Sequence, residues 1–176
     1  MKIILNRINE YDSAFDEMIR SAYAEEPIVL NAKKNTNGLG YLDGTRYNEW
    51  LSSDDYIYEC ERDDGVKIGG AVVGFIDEKN ASGIEIIDMF VLREYRDQGY
   101  GTSIFDNVQK IFKDADFITL KTPLQARKNH IFFVEKCGMR VVKMVGAKKI
   151  QDSFYVMRKN KPVATDGQEN KGEKHD

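Results

Sequence analysis

The chain has 176 residues and a mass of 20.2 kDa, the size of one ordinary domain, and it is long enough to bury most of its apolar surface without a metal or disulfide staple. Hydrophobic residues at 41%, charged residues at 31% and only 3 prolines exclude the disordered, collagen-like and cysteine-knotted classes. A net charge of -3, from 26 Lys and Arg against 29 Asp and Glu, disfavours nucleic acid as a partner, because a basic domain is the usual footprint of such binding.

Cys60 and Cys137 are far apart with no CxxC spacing, and the histidines are His130 and His175. No metal site is expected from that set. The opening run MKIILNRINEYD meets Asn6 and Arg7 too soon for a signal-peptide core, and no 18-residue apolar stretch exists. No membrane association is therefore expected, and a cytoplasmic location with reduced thiols is the default.

In chain order, Lys2 to Ile8 reads as a strand. Asp12 or Ser13 then offers an N-cap before Ala14, Phe15, Met18, Ile19, Ala22 and Tyr23, an apolar stripe at helical spacing. Residues 26–44 hold Pro27, Gly38, Gly40 and Gly44 among polar residues, which predicts a long irregular segment of the kind that often carries function. A short helix around Tyr47 to Leu51 follows. The alternation from Tyr56 to Glu61, the turn Asp63-Asp64-Gly65 and the run Ile68 to Ile76 predict an antiparallel hairpin.

Ile84 to Leu92 is apolar on both faces apart from Glu85 and Asp88, as suits a central strand. Residues 93–101 show no period, and from Thr102 a helix carries Ile104, Phe105, Val108, Ile111 and Phe112 on one face. Phe117 to Leu120 is a short strand, and His130 to Cys137 is a short helix closed by Gly138. Met139 to Val145 and Phe154 to Met157 are two last strands. Residues 160–176 contain almost no apolar side chains, so the domain is expected to span 1–159 and 160–176 to be a disordered tail. Charge divides unevenly: residues 1–120 hold 13 basic against 23 acidic groups, and residues 121–159 hold 10 against 2. That asymmetry hints at two unlike patches.

The stretch Val91-Leu92-Arg93-Glu94-Tyr95-Arg96-Asp97-Gln98-Gly99-Tyr100-Gly101-Thr102 joins the central strand to the amphipathic helix. Two glycines spaced by two let a ligand approach the backbone N–H groups closely, and the helix that follows aims its own free N–H groups and positive dipole end at the same point. A pyrophosphate suits such a place; a plain tight turn is the bland alternative. A Walker loop needs Gly-Lys-Ser/Thr, and here no lysine follows Gly101. The dinucleotide fingerprint needs a third glycine where Ile104 stands.

Arg96-x-x-Gly99-x-Gly101 introduced by Val91, with Phe133-Val134-Glu135-Lys136-Cys137-Gly138-Met139 some way downstream, resembles the GNAT superfamily of acetyl-CoA-dependent N-acetyltransferases. The resemblance implies an α/β (α+β) fold, a single domain with a mixed, mostly antiparallel sheet of about seven strands and about four helices. It implies acetyl-CoA as co-substrate, with its pyrophosphate on the backbone from Gln98 through Gly99, Tyr100 and Gly101 to Thr102, and its pantetheine arm along Phe90 and Val91. Arg96 holds the first motif position, and Lys121, Arg127 and Lys128 are candidates for the adenosine phosphate. Glu85, eleven residues before Arg96, stands where histone-type members carry a glutamate base, and Asp88 is a second carboxylate, on the opposite strand face unless a bulge intervenes.

The departures are equally specific. Val134 stands where the family often has a thiolate-protonating tyrosine, and Arg127 where it has an asparagine. That leaves Tyr95, Tyr100, Tyr155 or water as proton source, or a thiol that departs unprotonated, and His130 as a packing residue. The reading that follows is acetyl transfer to a primary amine by direct attack in a ternary complex. The 26–52 region, the first helix and the last strands form the acceptor site, and its acidic residues suit a cationic acceptor. A non-catalytic coenzyme-A-binding module of the same fold is the alternative, and a homodimer is left open.

Overall fold

The computed structural model describes residues 2–27, 29, 37–146 and 153–161. Among them seven strands form one sheet: β1 Ile3–Ile8, β2 Tyr56–Arg62, β3 Lys67–Glu78, β4 Ala81–Val91, β5 Phe117–Pro123, β6 Arg140–Val145 and β7 Phe154–Asn160. Their spatial order is β1-β2-β3-β4-β5-β7-β6, and every neighbouring pair is antiparallel except β4 with β5. The helices are α1 Ser13–Tyr23, α2 Thr45–Leu51, α3 Tyr100–Ile111 and α4 Arg127–Ile131.

Two apolar layers form, one on each sheet face. α3 lays Ile104, Phe105 and Val108 on Ile68, Ala71, Val73, Ile84, Ile86, Ile118 and Leu120. On the other face α1 and α2 lay Phe15, Ile19, Tyr47 and Trp50 on Ile57, Val72 and Phe90. Asp12 caps α1, its carboxylate accepting from Ala14 N at 2.8 Å and Phe15 N at 3.2 Å. A cap of this type stabilises by roughly 1 kcal/mol, and it fixes where α1 begins and so where Tyr23, its last residue, comes to rest.

The element order is the expected one, with shifted boundaries. α4 starts at Arg127, before the expected His130, because Arg127-Lys128-Asn129 is polar and gives no periodic signal; it runs on into a π-helical turn, Phe132–Lys136. β5 continues past Leu120 to Pro123 because Lys121, Thr122 and Pro123 pair with Val156, Tyr155 and Phe154 of β7. α3 begins at Tyr100, with Thr102 in its first turn. Asn160 still belongs to β7, one residue beyond the expected domain end, and residues 162–176, the rest of the expected tail, lie outside the described residues. So do residue 28 and residues 30–36 of the long loop. Among the described residues no helix is long and apolar enough to cross a membrane.

Candidate active site

The site begins where β4 and β5 part. Their parallel pairing runs from Gly83 with Phe117 to Ile86 with Leu120 and ends there, while β4 stays on β3 to Val91 and β5 stays on β7 to Pro123. A wedge opens between two strands whose inner edges have lost each other. On β4, Leu92 N donates to Ile68 O at 2.8 Å, and a Cβ placed on Gly69 would lie 2.2 Å from Phe90 O, so Phe90 directs its backbone to β3. By the alternation of an antiparallel ladder, Met89 and Val91 direct theirs into the wedge.

A bulge decides which side chains face which way. Val72 pairs with Asp88 and Val73 with Ile86, leaving Ile87 as the extra residue on β4. Before it, Ile84 and Ile86 face α3, so Glu85 faces the α1 side. After it, Phe90 packs with α1, and Asp88 meets tyrosines of that same side. Asp88 and Glu85, three apart, would have faced opposite ways on a regular strand; the bulge places both on one face.

Asp88 is buried, 8% exposed. Tyr23, the last residue of α1, donates its hydroxyl to Oδ1, and Tyr41 donates to Oδ2 at 2.5 Å. The two rings stack with centroids 4.0 Å apart. Burial raises the Asp88 pKa, and the two phenol hydrogen bonds pull it partly back. Burial also pushes Tyr23 and Tyr41 well above the usual phenol range, and the Asp88 charge adds to the shift. Tyr23 is legible in the sequence only as a stripe residue of α1, and Tyr41 only as one tyrosine of an irregular loop.

Glu85 Oε1 lies 2.9 Å from Lys121 Nζ, with the glutamate side chain 21% exposed and the lysine 57%. Lys121, a candidate for the adenosine phosphate, is thus turned onto the candidate base. Asp55 joins the same face: its Oδ1 and Ile87 Cδ1 both border Gly74, which pairs with Glu85. Beside Lys121 on β5, Thr122 is 2% exposed and its Oγ1 has no hydrogen-bond partner among the described residues.

The loop from β4 to α3 presents free backbone donors, the arrangement an anion cradle needs. Gly99 sits at the N-cap of α3 with φ +85°, and among the described residues nothing stands within 4 Å of where its Cβ would be and no side chain caps the helix. The first intrahelical bond is Ser103 N to Gly99 O, 3.1 Å, so the N–H groups of Tyr100, Gly101 and Thr102 precede the ladder. A Cβ on Gly101 would fall 3.1 Å from the Phe132 ring, so glycine there permits close packing by the π turn after α4. The Tyr100 side chain is buried and set edge-on to Tyr95, which leaves its backbone as the group it can present. Gln98 folds back, donating Nε2 to Glu94 O at 2.8 Å.

Arg96 does something the motif does not specify. Its guanidinium donates to Val91 O at 3.0 Å, Glu26 Oε1 at 2.5 Å and Ala22 O at 2.8 Å, tying the cradle and the end of β4 to the end of α1. Its role in this structure is to hold the loop. His130 packs as expected, Nε2 against Pro123 O at 2.8 Å and the ring edge-on to Tyr155. Val134 is exposed. Among the described residues no group of three or more His, Cys, Asp or Glu side chains is arranged to hold a metal ion.

Residues 12–139 match the model of the acetyltransferase (GNAT) family. The chain belongs to that family. Among curated proteins it is 32% identical over 79 residues to YrkN of Bacillus subtilis (strain 168), itself uncharacterized, a match that takes in 45% of this chain and 42% of that one. This chain therefore spans less than half the length of that relative. Among solved structures, the PaiA N-acetyltransferase of Thermoplasma acidophilum in complex with coenzyme A superposes with a TM-score of 0.63 at 17% identity, over 92% of this chain and 100% of that one. Naa50 of Arabidopsis thaliana, bound to a bisubstrate analogue of coenzyme A and a peptide, gives 0.58 at 16% identity, over 91% and 99%. At such identities the likeness shows the fold.

Proposed function

We propose that this GNAT chain transfers the acetyl group of acetyl-CoA to a primary amine by direct attack within a ternary complex. The observation that carries the reading is the conjunction at one place of the β4–β5 wedge, the uncapped N-terminus of α3 at its mouth and the Glu85 carboxylate on its rim. In this reading the pyrophosphate rests on the N–H groups from Gln98 to Thr102, where aligned peptide dipoles favour an anion. The pantetheine arm enters the wedge as an added strand on β4. Val91 offers its N–H there, Phe90 packs behind, and Arg96 keeps the edge in place.

An ordinary lysine-like amine is neutral only about 0.04% of the time at pH 7, so the acceptor must lose a proton before it attacks. Glu85 takes that proton, directly or through a water. The amine forms its bond to the thioester carbon, backbone N–H groups of the wedge meet the charge growing on the carbonyl oxygen, and coenzyme A leaves as a thiolate. Asp88, with both oxygens occupied, acts from behind: it fixes Tyr23 and Tyr41 and adds negative potential to the acceptor side. Asp55, Glu85 and Asp88 on one face support a cationic acceptor, such as a polyamine, an aminoglycoside or a lysine side chain.

The test is coenzyme A thiol release from acetyl-CoA with a panel of amines, repeated with Glu85→Gln. Cationic amines should be acceptors, and the glutamine variant should lose roughly a hundredfold in turnover. Activity only with anionic amino acids would overturn the electrostatic argument, and unchanged kinetics in the variant would remove Glu85 from the mechanism. A second reading, a coenzyme-binding module without turnover, draws on the exposed Val134 where the family often has tyrosine; it predicts coenzyme binding with no thiol release.

A further inference from the structure

Lys121 is the amine already in place. It is the first residue of β5 beyond the last pair with β4, Ile86 with Leu120, so its backbone stands at the apex of the wedge. Its Nζ lies 2.9 Å from Glu85 Oε1 and its side chain is 57% exposed. It projects to the α1 face with Glu85, the side proposed for the acceptor. A primary amine, paired with the carboxylate proposed as base and set at the apex of the wedge proposed for the coenzyme arm, has every element of an acceptor except freedom to leave.

We infer that Lys121 is an acetylation site of the chain itself, modified within its own molecule by acetyl-CoA when no outside amine is present; the inference rests on the acetyl-transfer reading above. The Lys121 ammonium passes one proton to Glu85. The freed nitrogen lone pair forms the N–C bond to the acetyl carbon, the C–S bond breaks, and the nitrogen loses a second proton to water. The coenzyme A thiolate takes up the proton held by Glu85. The products are N-ε-acetyl-lysine at position 121, coenzyme A and one proton released. The amide that results carries no charge, so Glu85 loses its cation and is left to the next amine that arrives.

The test is mass spectrometry of the full chain after incubation with acetyl-CoA and no added amine, with peptide mapping and a parallel titration of coenzyme binding. One acetyl group should appear at Lys121 well before exposed lysines such as Lys128 and Lys143. It should be absent from Lys121→Arg, which keeps the ion pair, and should form about a hundredfold more slowly in Glu85→Gln while background labelling elsewhere is unchanged. Labelling of Lys121 no faster than of Lys128, in a preparation that does turn over added amines, overturns this inference alone. A preparation that binds coenzyme but neither labels itself nor acetylates any amine overturns this inference together with the reading it rests on.

Discussion

Removing the hydroxyls of Tyr23 and Tyr41 should flatten the response of stability to alkaline pH. Both phenols have folded pKa values above the usual 10, chiefly through burial and then through the Asp88 charge. An acid whose pKa rises on folding contributes stability that is fully present below its unfolded value and is lost as pH climbs above it, since the unfolded chain releases a proton that the native one keeps. Between pH 9 and pH 11 each such tyrosine removes about 1.4 kcal/mol, and the two together about 2.7 kcal/mol. Urea denaturation of the wild type and of the Tyr23→Phe/Tyr41→Phe double variant at pH 9, 10 and 11 measures the difference. The variant starts lower, because Asp88 loses two donors, by about 1 to 3 kcal/mol for each unsatisfied buried group. Its decline with pH should nevertheless be shallower by about the amount above. Parallel declines would show that neither phenol is held neutral and would refute the description of the cluster.

Asp88 works in the acid range with its pKa raised, so its contribution is fully present below the usual aspartate value near 3.9 and is lost as pH rises through its folded value; Asp88→Asn should flatten stability across that window. Arg96→Lys cannot keep all three bonds to Val91 O, Glu26 and Ala22 O; coenzyme affinity should drop roughly tenfold through a loosened loop, measured by calorimetry, and an unchanged affinity would separate the loop from that anchor. Gly101→Leu drives a side chain into Phe132, whose ring already stands 3.1 Å from where a Cβ would be, and should weaken coenzyme binding more than Gly99→Ala, which meets only open space and the strain of a positive φ, about 1 to 2 kcal/mol. Burial pushes the Cys60 and Cys137 thiols up to about 12, so a thiol reagent at pH 8 should label the native chain far more slowly than the urea-unfolded one.

The fold was legible because its signals are local. The α1 stripe, the hairpin turn at Asp63-Asp64-Gly65 and the glycines beside α3 each state their own structure within a few residues. The glycine loop was legible for the same reason: it is one continuous stretch. The tyrosine–aspartate cluster was not, because it is assembled across the sheet. Tyr23, Tyr41 and Asp88 come from three elements, and only the extra residue at Ile87 turns Asp88 toward the other two. Arg96 and Lys121 have contacts in the fold that the sequence does not show, for a shared physical reason. A basic side chain near an anion site suggests an anion ligand, and in the fold each finds a nearer protein carboxylate, Glu26 and Glu85.

Thiol release from acetyl-CoA by the wild-type chain, measured with and without a cationic amine, tests acetyl transfer most directly. Release should depend on the amine, with one acetylated amine formed for each thiol set free once Lys121 has been modified. Saturable binding of the coenzyme with no amine-dependent release would contradict it and leave a binding module in its place.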